Sequence, residues 1–176
     1  FRTTDLPPIR IRQCQPSERE PGVMMFNVRS GMSPGPGGGR FSGWLMALNQ
    51  EGKLACVYHT DQALQAIRRL PSGNLMFSIM DGLLVEITTS GKTVRQWYAT
   101  GRYRDRKPPA DGIPIDCETL HHGLNFTADG NLLVLSAEVR EYDGWWGSTT
   151  DPSASKERAK LVGDIVMEVR PDGTTV

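Results

Sequence analysis

Short apolar or alternating runs follow one another along most of the chain, and many are separated by a turn carrying Ser-Gly, Glu-Gly or Asp-Gly. Such a run–turn–run unit predicts a β-hairpin, because the turn supplies the backbone freedom that a tight reversal needs. Two kinds of unit recur. One spans Trp44 to Tyr58, returns from Leu83 to Trp97, and begins again from Asp164 to Val176. The other spans Leu64 to Phe77 and returns from His121 to Leu135, each with Gly-Asn-Leu after the turn. Helical spacing fits only Asp61 to Arg69, and the repeat argues against it there.

The succession predicts an all-β chain of four-stranded meanders, the pattern of a β-propeller blade. Numbered outward from the axis, first strands fall at 64–69 and 119–127, and second strands at 22–30, 74–79 and 131–136. Third strands fall at 44–49, 83–88 and 164–170, and fourth strands at 53–58 and 92–98. Residues 1–20 read as an irregular lead-in and 21–176 as the partial propeller. The chain would supply roughly two and a half to three blades, whereas closure takes about 4–8. The remaining blades are therefore expected from another chain or from sequence beyond this one. In such a meander the short Gly turns share one end. The long insertions, Ala99 to Asp116 and Ala137 to Gly163, emerge at the other end with the Gly/Pro-rich stretch Ser30 to Arg40. Long insertions are where function concentrates.

Composition narrows the reading. The 176 residues carry 20 Lys+Arg and 20 Asp+Glu, so no global basic field points to nucleic acid. No apolar run approaches a membrane span, and neither a membrane nor a nucleic acid is expected as a partner. Gly 19 and Pro 12 favour turns over helices. Cys14, Cys56 and Cys117 lack CxxC spacing, and their disulfide pairing is open. The chain begins at Phe1 without a charged and apolar leader, so a targeting peptide is expected to have been removed or to lie outside it.

The sharpest chemical feature is His121-His122, at the start of an inner strand on the elaborated end. Alternation predicts that only one ring enters the channel mouth. Aligning the two Gly-Asn turns sets His122 against Gln65 and His121 against Leu64, which favours His122. A histidine there suits acid–base or nucleophilic work near neutral pH. His59, beside Asp61, is a further candidate at the same end. Arg102, Arg104 and Arg106 make a cationic insertion suited to holding an anion. Tyr142, Trp145 and Trp146 offer an aromatic wall or a cap over exposed sheet. Three histidines, two of them diverging, do not make a metal shell, and no metal or other cofactor is expected. Ser30 to Arg40 lacks the Gly-Lys-Ser/Thr ending of a phosphate loop.

Taken together, Leu83 to Trp97, Arg69-Leu-Pro-Ser-Gly-Asn-Leu75, His121 to Leu135 and Ile165 to Val176 resemble the bacterial arylsulfotransferase family. The resemblance implies a six-bladed propeller, periplasmic or secreted. It also implies sulfuryl transfer from an aryl sulfate to a phenol through a channel histidine, with no nucleotide sulfate donor. His122 resembles that family's channel histidine. Two residues later this chain has Leu124 where the transferases have Asn, and Glu138 stands near the place of an Arg. Hydrolase or lyase chemistry on another aromatic anion, or a non-catalytic binding propeller, are the alternative readings.

Overall fold

The computed structural model describes residues 6, 9–13, 15–18, 20–30, 42–80 and 82–176. Cys14 and the Gly/Pro-rich stretch from 31 to 41 lie outside the described residues. The fold is all-β, and the described residues form three sheets. The first contains β1 (Met24–Ser30), β2 (Ser42–Leu48) and β3 (Leu54–Thr60) in that order. The second contains β4 (Leu64–Arg69), β5 (Leu75–Ile79), β6 (Leu83–Ile87), β7 (Thr93–Ala99) and β8 (Ile113–Ile115). The third orders β9 (His121–Phe126), β10 (Leu132–Trp146) and β11 (Lys156–Val169) side by side.

One turn device recurs at five of the tight turns. At Gly52, Gly73, Gly91, Gly130 and Gly173 the glycine has a positive φ, and its N–H donates to the carbonyl three residues back. The residue that ends the strand then bonds across the turn, as Leu70 N–H does to Asn74 O at 2.8 Å. This is a three-residue loop closed by a left-handed glycine, whose twist matches the flanking strands. The Asn after the turn has its own task. Asn74 Nδ2 donates to the buried Glu86 carboxylate at 2.7 Å, and Arg95 completes the cluster at 3.0 Å. Asn131 does the same for Glu168 at 2.7 Å. The Gly-Asn-Leu repeat is thus a turn plus a satisfied acid, buried at Glu86 and partly buried at Glu168.

The second sheet is packed on both faces. Leu75, Phe77 and Ile79 of β5 meet Leu45, Met25 and Tyr58 of the first sheet. Met76, Leu84 and Trp97 meet Leu124, Leu132 and Val134 of the third. An aromatic, from β3 at one junction and from β7 at the other, bridges each pair of sheets. Tyr58 tilts against Phe77 with ring centres 5.6 Å apart, and Trp97 Nε1 donates to Pro171 O at 2.9 Å. Leu84 and Val166 occupy corresponding places in the second and third sheets, yet Leu84 is 1% exposed and Val166 72%. The outer face of the third sheet is open. That of the first is flanked by the lead-in, where Leu6, Ile9 and Ile11 line a cavity with Met46 and Leu54.

Both insertions differ from free loops. Residues 137–163 continue the β10–β11 ladder as a two-stranded arm as far as Trp146 paired with Lys156, interrupted between Tyr142 and Trp145. Cross-strand charge supports it: Glu141 pairs with Arg158 and with Lys160 at 3.4 Å. Residues 99–116 open with a 3-10 turn, Thr100–Tyr103, and return as β8, which lies parallel to β7. Pro114 is tolerated there because β8 is the edge of its sheet, where a missing N–H costs no ladder bond.

Candidate functional site

Three strands from three sheets converge at the elaborated end. On β1, alternation puts Met25, Asn27 and Arg29 on the face turned to the second sheet, since Met25 packs in the core between those sheets. Asn27 Nδ2 donates to Leu64 O at 2.7 Å, which ties β1 to the start of β4. Next on β4, the Gln65 side chain accepts the backbone N–H of His122 at 3.0 Å and so ties β4 to β9. Aligning the turns sets Gln65 and His122 at equivalent places in neighbouring units, and the fold makes them neighbours in space.

His122 has φ +50°, the left-handed region, where a side chain crowds its own carbonyl at a cost of about 1–2 kcal/mol. It sits in a bulge: β9 pairs Leu124 with Val134 but His121 with Leu135, leaving two residues outside the ladder. The bulge corrects the expectation that the histidines diverge. Strand alternation is broken at His122, and the rings meet edge-on at 85° with their Nδ1 atoms 2.9 Å apart. One Nδ1 must carry the shared proton and the other must accept it. The partly buried His121 places Nε2 3.7 Å from Asp164 Oδ1. A proton on His121 Nε2 faces that carboxylate, leaving His121 Nδ1 as the acceptor and His122 Nδ1–H as the donor. His122 Nε2 then holds the free lone pair. His122 is exposed and lines an opening of about 500 Å³ with Asn27, Arg29, Leu64, Gln65 and Ala66.

The other candidates lie elsewhere. Arg104 pairs with Glu118, while Arg106 donates to Arg102 O at 2.8 Å and stacks over Tyr103 at 4.1 Å. The methylenes of Arg102 lie against Gly82. Arg104 borders a separate opening of about 350 Å³ with Asp116, Cys117, Glu118 and Glu138. Burial pushes the Cys117 thiol up to about 11. Tyr142 and Trp145 sit on the arm with ring centres 5.9 Å apart, and Lys156 lies over Trp146. His59 tilts against Trp44 at 5.2 Å, on the face of the first sheet turned away from the second. Among the described residues no group of three His, Cys, Asp or Glu is placed to hold a metal ion. Sequence reasoning misses Arg29, Gln65 as a tether, and Asp164. The alternation of β1 marks the face of Arg29, but only the packing of β1 on β4 and of β4 on β9 brings it to His122.

No protein-family model and no curated protein matches the chain. Among solved structures, it is similar to a protein of unknown function from Bacteroides caccae, with a TM-score of 0.41 and 15% identity. The similarity covers 78% of this chain and 40% of that one.

Proposed function

We propose that this chain is the site-bearing part of a β-propeller enzyme of the arylsulfotransferase type, moving a sulfuryl group from an aryl sulfate to a phenol through His122. The carrying observation is the His122 ring itself: exposed at an opening where three strands meet, with Nδ1 engaged by His121 and Nε2 left to react. In the first half-reaction Nε2 attacks sulfur, the N–S bond forms, and the S–O bond breaks with its electron pair leaving on the phenolate. In the second, a phenol oxygen attacks sulfur, the N–S bond returns its pair to Nε2, and the phenolic proton passes to solvent. Nδ1–H donation to His121 disperses the positive charge that develops on the ring, and Asp164 offsets it further.

The propeller part of the reading is supported by repeated stacking of sheets through Tyr58 and Trp97 and by the open face around Val166. Further blades would cover that face. With the resemblance comes a periplasmic or secreted location and a donor that carries its own sulfuryl group, so no nucleotide sulfate takes part.

The test is nitrophenolate release from nitrophenyl sulfate by the intact protein, with and without phenol, for wild type and His122→Ala. Acceptor-dependent release that falls at least about 10³-fold in the variant supports the proposal. Equal release by a folded variant overturns the role of His122. Release that needs no phenol assigns hydrolysis instead.

A further inference from the structure

We infer that Arg29 on β1 is the anion-holding residue of the His122 opening, so that this opening binds a tetrahedral oxyanion such as a sulfate ester. The inference rests on the reading of His122 as the reacting group, and it replaces Arg102, Arg104 and Arg106 in the anion-holding role.

Four observations carry it. Arg29 lines the same opening as His122 and Gln65. It lies two residues beyond Asn27 on the same face of β1, and Asn27 is fixed to Leu64 O at 2.7 Å, so the strand beneath Arg29 is anchored to β4. Among the described residues its guanidinium has no ion-pair or hydrogen-bond partner, whereas Arg104 and Arg106 are engaged with Glu118, Arg102 O and Tyr103. The residues lining the opening include no carboxylate, while the opening beside Arg104 has Asp116, Glu118 and Glu138.

The donors match the ligand. A guanidinium presents a planar fork of N–H groups suited to two oxygens of a sulfate. Gln65 spends its carbonyl oxygen on His122 N–H, which leaves its amide N–H groups for a further oxygen. On this binding mode His122 Nε2 would take the remaining approach to sulfur. A carboxylate at this place would repel the same ligand; among the described residues lining the opening there is none.

Inorganic sulfate is the probe. Titration into the intact protein is followed on the His122 ring signals by NMR, with chloride at matched ionic strength as the salt control. His122→Gln assigns those signals. Wild type is expected to show a saturable, sulfate-specific shift. Arg29→Ala should weaken it at least about 10-fold, the loss of one charge-assisted contact, and Arg29→Lys should fall between the two. Lys53→Ala, an exposed hairpin-turn residue, should bind as wild type. Circular dichroism and the urea midpoint check that each variant is folded. No saturable shift in wild type, or an Arg29→Ala titration equal to it, overturns the inference. Because the readout is binding, sulfate capture without sulfuryl transfer would sink the transferase reading and leave Arg29 in its role. Transfer activity with unchanged sulfate binding in Arg29→Ala would do the reverse.

Discussion

Cys117 shows how its surroundings set one residue's chemistry. Burial raises its pKa from 9.0 to about 11, with Asp116 and Glu118 adding in the same direction against hydrogen bonds from its neighbours. The folded state keeps the thiol proton to higher pH than the unfolded chain does. Its contribution to stability is therefore full below 9.0 and lost as pH rises towards 11. Burial moves Tyr58 in the same direction, so the measurement is a difference. Urea midpoints of wild type and Cys117→Ala should converge as pH rises through that window, and parallel curves would contradict the assignment. The site residues are legible in the sequence to unequal degrees. His122 is visible because it leads a strand that repeats the Gln65 strand. Its contact with His121 is not, because a two-residue bulge with a left-handed histidine leaves no mark on hydrophobic alternation. Arg29 escapes for another reason: its neighbour in space is 93 residues away, the difference between 29 and 122 in the numbering.

At the scale of elements, hairpins are the readable part. Each Gly-bearing turn the sequence marks sits where a left-handed glycine closes a three-residue loop, and the strand ends next to these turns agree to within a residue or two. The arm reads as a loop because Glu138 to Gly163 is polar and carries no compact turn. Its strands are held by backbone pairing and cross-strand charge rather than by a buried face. Val139, Tyr142, Trp145, Trp146 and Val162 are all at least 42% exposed. Replacing residues 141–159 by a short Asn-Gly turn should therefore leave the three sheets standing, with the free energy of unfolding changed by no more than about 1 kcal/mol. Denaturant unfolding of the shortened protein measures this. Loss of cooperative unfolding would mean that the arm holds core structure. β8 is illegible for a further reason, since Ile-Pro-Ile is too short to carry a period and pairs only because the chain folds back along β7.

For the whole molecule, the question is what three stacked sheets are for. Sequence periodicity reaches the all-β class and the succession of hairpins, because both follow from where turns and apolar faces fall. It does not reach the candidate site, which depends on three strand ends from three sheets meeting around one ring. The sheets set Arg29, Gln65 and His122 around one opening. On the proposed mechanism, His121 with Asp164 leaves His122 Nε2 free to take a sulfuryl group. The direct measurement is peptide mass mapping after the intact protein is mixed with nitrophenyl sulfate in the absence of a phenol. One sulfuryl group on the peptide containing His122, removed on adding phenol and absent from His122→Ala, is the predicted result. Acceptor-dependent turnover with the group on another residue, or with no protein-bound group at any time, would contradict that mechanism.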